Sequence, residues 1–175
     1  MALERLSEKI PEYASDLKLN LSSFFLQSEL SEQQTWGTAV ACACACSNGE
    51  VVREVISEAG QHLSPQALRA ARAAAAIMGM NNIYYRFQHL SSNEKYRTMP
   101  ARLRMNILRS HGANEVDFEL WCLAVSALNG CATCVEAHER VLREKGLSEE
   151  QILGAVRIAA VIHAVAAVLH SSAFS

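Results

Sequence analysis

A chain of 175 residues that is half apolar, with only three prolines, is long enough for one substantial core and short for two, so a single domain spanning 1–175 is expected. With 19% charged residues and a formal net charge of −2, its composition offers no basic surface of the kind that holds a phosphate backbone, which argues against nucleic acid as a partner. The opening MALERLSEKIPEY lacks the apolar stretch of a secretory signal, and the longest nearly apolar run, Ile158 to Leu169, is shorter than the about 20 residues of a membrane span, so a cytoplasmic protein without a membrane partner is expected. In a reducing compartment the six cysteines should not form a structural disulfide framework; a working pair there is catalytic, redox-sensing or metal-binding.

The punctuation along the chain is helical throughout, and no segment sustains a period-2 alternation, so the fold class expected is all-α. Ser31 and Gln34 form a capping-box pattern ahead of the apolar segment Trp36 to Cys46, which stops at Ser47-Asn48-Gly49. Ser64 followed by Pro65 is an N-cap with proline at the first helical position, opening an alanine-rich helix from Gln66 toward Tyr85. Gly112 and Asn114 precede a helix through Phe118, Trp121 and Val125 that should end at Asn129-Gly130. A further helix begins at the cysteine motif and ends at Lys145-Gly146, and Ser148 with Gln151 forms a second capping box before the last helix. The small side chains of the alanine-rich helices suit close contact between subunits, so an oligomer is expected.

The chain reads as two weakly similar helical repeats, about 31–90 and 115–175. At an offset of 85, Trp36, Ala39, Val40 and Cys46 fall on Trp121, Ala124, Val125 and Cys131; with one residue removed, Leu63-Ser64 falls on Leu147-Ser148. Gly49 takes the place of Cys134 and Arg53 that of His138, so only the second half carries the full set of reactive residues.

That set lies in NGCATCVEAHE, residues 129–139. On a helix advancing about 100° per residue, Cys131 and Cys134 sit about 60° apart with His138 between them in angle. A helix N-terminus lowers a thiol pKa and favours Cys131 as the stronger thiolate, whereas an imidazole one turn away favours Cys134. Zinc needs a second pair of ligands; Cys42, Cys44 and Cys46 cannot converge on a helix, where Cys44 faces away from the other two. These three and Cys122 read as small buried apolar residues, and His163 as a packed core histidine. From spacing alone Glu119, twelve residues before Cys131, is a solvated helix charge.

The wider context ELWCLAVSALNGCATCVEAHE, together with PEYASDLKLNLSS at 11–23, AAAAIMGMNNIYYR at 73–86 and LRMNI at 103–107, resembles the alkyl hydroperoxidase D family of the carboxymuconolactone decarboxylase-like superfamily. The resemblance implies an all-helical antioxidant peroxidase, a homotrimer with no tightly bound cofactor, acting on alkyl hydroperoxides. It implies Cys131 and Cys134 as the redox disulfide pair, with Cys134 passing through the sulfenic acid and Cys131 as proton donor and resolving thiol. His138 and Glu119 are then the proton relay, with Glu119 buried and paired. The implied reductant is the dihydrolipoyl group of a carrier protein, dihydrolipoamide acyltransferase, and the implied electron acceptor a peroxiredoxin of the alkyl hydroperoxide reductase C type. Thr133 departs from those members of the family that carry histidine inside the C-x-x-C, and a hydroxyl cannot replace imidazole as a base near neutral pH. A structural zinc oligomer, or decarboxylase-like chemistry on the same fold, are the alternative readings.

Overall fold

The computed structural model describes residues 2–26 and 29–172. Among them the chain is helical, with no strand. The helices are α1 (Ala2–Lys9), α2 (Ser15–Leu26), α3 (Glu32–Ala45), α4 (Gly49–Ala59), α5 (Pro65–Leu90), α6 (Lys95–Thr98), α7 (Ile107–Ser110), α8 (Glu115–Leu128), α9 (Ala132–Glu144) and α10 (Glu149–Ser172).

Their ends follow the local chemistry. Ser31 accepts from the Gln34 N–H while the Gln34 side chain accepts from the Ser31 N–H, and Ser148 with Gln151 repeats that reciprocal pair ahead of α10. Ser64 caps α5 through the Ala67 N–H with Pro65 in the first turn, and Asn114 caps α8 through Val116 and Asp117. The middle helix runs to Leu90, further than the expected end near Tyr85. Helices α3, α4 and α5 have 14, 11 and 26 residues, and α8, α9 and α10 have 14, 13 and 24.

Helices α3, α5, α8 and α10 pack together as the centre of the molecule, with α1 on α4, α2 on α10, and α9 laid over α8 and α5. The buried apolar residues form a continuous cluster from Leu6 to Leu169 in which Trp121, Phe118, Met78, Leu120 and Ile162 are among the largest members. Where α3 crosses α8 the contact is so close that a Cβ on Gly37 would fall 2.2 Å from the Trp121 ring, so no larger residue fits. Asp117, buried at the start of α8, accepts from the side chains of Gln33 and Gln34 and fixes the two helices end to end.

Three expectations are corrected. Much of the alanine surface of α5 and α10 is used inside the chain: Ala67, Ala70, Ala71, Ala74, Ala155, Ala159 and Ala166 are all buried in the central packing. The last helix, at 24 residues, is long and apolar enough to cross a bilayer by length and composition, but its Ile152, Ala155, Ile158, Ile162 and Val165 face is packed on α3 and α8, as in the core helix of a globular domain. His163 is exposed rather than packed, because it lies at the margin of that stripe, where a groove opens beside Cys44 and Cys46, and its Nδ1 stands 3.9 Å from Cys46 Sγ.

Candidate redox-active site

The site is assembled where α8 hands over to α9. Helix α8 ends with Gly130 in the left-handed region, at φ 67°; its N–H donates to Ala127 O, and the Cys131 N–H donates to Ser126 O. This is the six-to-one, five-to-two pattern that satisfies the last carbonyls of a helix and that favours glycine at this position. Cys131 thus closes one helix and at the same time stands at the N-cap of the next, with φ −96° and ψ 89°. Being outside α9, it does not share a helical face with the other two residues as spacing suggested. Cys134 and His138, four apart within α9, do share one.

Cys131 and Cys134 are joined in a disulfide with Cα atoms 5.3 Å apart. Cys131 is fully covered, at 0% exposure, whereas Cys134 is 7% exposed and borders a pocket with Met78, Asn81, Tyr85, Met105, Thr133 and His138. The covered sulfur is therefore reached through its partner.

Packing of α9 on α8 does what spacing could not. His138 Nδ1 lies 2.6 Å from Glu119 Oε2, with the two side chains 15% and 25% exposed. With Nδ1–H donating to the carboxylate, Nε2 is the basic nitrogen, and it faces Met78 Sδ at 3.4 Å on the wall of the pocket that Cys134 borders. Glu119 is paired, as the resemblance implied, but half-buried rather than enclosed.

The support for this corner comes from α5 and was missed in the sequence. Met78, Asn82 and Arg86 recur every four residues on one face of that helix. Asn82, fully buried, donates to Ser126 Oγ at 2.9 Å and accepts from Asn129 Nδ2 at 2.9 Å; Arg86 donates to the Asn129 carbonyl. Ser126 Oγ also lies 3.4 Å from Met78 Sδ. Three residues of α5 thereby hold the end of α8 and the ring of His138. The signal was present as polar residues at i and i+4 in an otherwise apolar helix, but periodicity does not say what such a face meets.

The remaining thiols are protonated at neutral pH. Burial, and secondarily Cys46 and Cys44, push the Cys42 thiol well above its ordinary range, and burial followed by the Glu119 carboxylate does the same to Cys122. Burial raises Cys44, partly offset by Arg72, and burial with Cys44 pushes Cys46 up to about 11. Cys42 is buried as expected, but Cys44 and Cys46 are half-buried and both border a groove of about 550 Å³ with His163, because α3 stops at Ala45 and Cys46 is its C-cap. Among the described residues no group of three or more histidine, cysteine or acidic side chains is placed to hold a metal ion.

Residues 94–174 match the carboxymuconolactone decarboxylase family. The chain is 61% identical over 169 residues to alkyl hydroperoxide reductase AhpD of Solibacter usitatus (strain Ellin6076), covering 97% of this chain and 96% of that one. It is 60% identical over 170 residues to the protein of that name from Acidobacterium capsulatum, covering 97% and 93%, and 55% identical over 173 residues to that of Rhodospirillum centenum (strain ATCC 51521 / SW), covering 99% and 93%. All-helical, and alike to these proteins along nearly its whole length, the chain belongs to the alkyl hydroperoxide reductase AhpD family within the carboxymuconolactone decarboxylase-like superfamily.

Proposed function

We propose that this chain is an antioxidant alkyl hydroperoxide reductase that works through the Cys131–Cys134 dithiol. The observation that carries the reading is the juxtaposition of that disulfide with a carboxylate-oriented histidine on the wall of one pocket. In the reduced protein His138, held by Glu119, accepts the proton of Cys134. The Cys134 thiolate attacks the terminal oxygen of the hydroperoxide; the O–O bond breaks, an S–O bond forms, and the departing alkoxide takes the proton of Cys131 to leave as the alcohol. The Cys131 thiolate then attacks Cys134 sulfur, the S–O bond breaks, and the hydroxide leaves as water with the proton held on His138. Two thiols and one hydroperoxide give one disulfide, one alcohol and one water.

The exposure difference supports Cys134 as the sulfur that attacks the peroxide and Cys131 as the resolving thiol, since the open sulfur meets the peroxide first. Reduction is by the dihydrolipoyl group of a carrier protein, dihydrolipoamide acyltransferase, with no tightly bound cofactor. The reduced dithiol also serves a peroxiredoxin of the alkyl hydroperoxide reductase C type. The protein is cytoplasmic and assembles as a homotrimer; exposed Ile83, Phe87 and Leu90 on the second half of α5 supply apolar surface for that contact.

The test is turnover of an organic hydroperoxide by the protein supplied with dihydrolipoyl carrier protein, with and without an added peroxiredoxin. Peroxide consumption that requires both Cys131 and Cys134 is the expected result. A Cys134→Ser protein with full turnover removes the reading.

A further inference from the structure

The pocket that Cys134 borders has features the dithiol chemistry does not account for. It encloses about 290 Å³, roughly twice the ~150 Å³ that admits a benzene ring. Met78, Tyr85, Met105, Leu108 and Ala137 give it a largely apolar wall, so it suits an organic group and not a small polar one. One polar side chain of α5 interrupts that wall. Asn81 is 5% exposed, and its Oδ1 is buried with no hydrogen-bond partner. Its neighbour Asn82 spends its carboxamide on Ser126 and Asn129, so the two adjacent asparagines divide between holding the fold and leaving a group unspent.

An unpaired buried amide is costly, and native structures retain one where something else completes it. Its place on the wall of the pocket that Cys134 also lines says what that is. A carboxamide carries an acceptor and two donors, and rotation of the side chain exchanges the end it presents. A hydroperoxide brings one O–H to be accepted and an apolar tail.

Building on the peroxidase reading above, we propose that this pocket binds the organic group of an alkyl or aryl hydroperoxide and that the Asn81 carboxamide accepts a hydrogen bond from the peroxide O–H, holding the terminal oxygen against Cys134 Sγ. The same O–H passes to sulfur in the reaction: thiolate attack breaks the O–O bond, and the oxygen that Asn81 holds becomes the Cys134 sulfenic acid, its hydrogen still on Asn81. Once Cys131 displaces that hydroxyl, Asn81 has nothing to accept, which is its condition in the disulfide form described here. Asn81 acts on the O–O–H common to all hydroperoxides, and the Met78, Tyr85, Met105 and Leu108 wall on the organic group alone.

The experiment is rapid mixing of pre-reduced protein with cumene hydroperoxide or hydrogen peroxide, following loss of two free thiols. Wild type is expected to react faster with the organic peroxide. Asn81→Leu, of similar shape and without the orphaned oxygen, should slow both peroxides at least tenfold while its melting temperature holds or rises and the pH profile of iodoacetamide alkylation at Cys134 stays in place. A purely structural role would instead lower the melting temperature. Leu108→Trp, which fills the pocket, should lower the ratio of cumene hydroperoxide to hydrogen peroxide rates; Asn81→Ser is a second probe of the amide should the leucine variant fold poorly. Wild-type rates in Asn81→Leu and Asn81→Ser overturn the role of Asn81 and leave the peroxidase reading standing. A wild-type protein that reacts with neither peroxide faster than free dithiothreitol overturns that reading, and the substrate pocket with it.

Discussion

Asn129 at the end of α8 and Asn82 on α5, 47 residues apart in sequence, are joined by a hydrogen bond of 2.9 Å from Asn129 Nδ2 to Asn82 Oδ1. That bond and the one from Asn82 to Ser126 hold the final turn of α8, from which Cys131 hangs. Asn82→Leu removes both and leaves Ser126 and Asn129 short of a partner, at a cost of roughly 2–3 kcal/mol. Urea unfolding of the oxidised protein measures it, and slower peroxide turnover should accompany the loss, because the turn that sets Cys131 is no longer pinned.

The His138–Glu119 pair should act as one unit. His138→Phe is expected to slow oxidation of the dithiol by about 100-fold, the lower range for loss of a general base. Glu119→Gln keeps the shape but loses the charge that steadies the imidazolium, so it should give a folded protein of reduced rate whose Cys134 titrates at higher pH. In the double variant the two losses should fall well short of multiplying. Fully additive effects in stopped-flow rates would place Glu119 outside the relay.

Thiol reactivity should divide the six cysteines in two. With burial holding Cys42, Cys44, Cys46 and Cys122 protonated, alkylation of the reduced protein at pH 8 should label Cys134 first and leave those four for last, as read by peptide mass mapping. Serine at Cys42 or Cys122 should cost packing and not turnover.

His111 gives the protein an acid-sensitive contact. Its ring is stacked on Phe118 with centroids 3.9 Å apart, and burial depresses its pKa against the opposing pull of Glu119 and Glu115. A depressed folded pKa means that the unfolded chain, titrating near 6.5, takes the proton first. The contribution is therefore complete above about pH 6.5 and is lost as pH falls through the folded value. Between pH 7 and pH 5 the urea midpoint of His111→Phe should vary less than that of the parent.

Gly37→Ala should destabilise despite alanine's better helix propensity. The added Cβ would meet the Trp121 ring at 2.2 Å, and overpacking of this kind typically costs about 1–3 kcal/mol, more than the ~1 kcal/mol regained in the helix. A raised melting temperature would show that α3 and α8 can part without penalty.

The sequence was most informative where chemistry is local. Capping boxes at Ser31 and Ser148, the proline at Pro65 and the glycine stop at Gly130 each concern a few neighbouring residues, and each end was legible from them. The pairing of Glu119 with His138 was not, because it depends on how α8 lies against α9, and only resemblance to a family named it. Asn82 and Arg86 were invisible for the same reason: they serve a helix that is distant in the chain. His163 was misread because its neighbours on α10 are apolar all round, so the pattern did not say which side met water.

Gly130 and Gly146 both take left-handed backbone, at φ 67° and 91°, and the helix between them ends as the one before it does, with Leu147 N–H on Leu142 O and Gly146 N–H on Arg143 O. Residues 130–146 are thus a cassette whose two stops are made by local backbone bonds, while its seating depends on α8 and α5. The cysteines and the histidine are portable with it; the carboxylate is not. A reactive dithiol could be transplanted into another antiparallel helix pair by moving those residues, but it would gain a tuned base only in a host whose preceding helix offers an acid 19 positions before the histidine, as Glu119 does for His138.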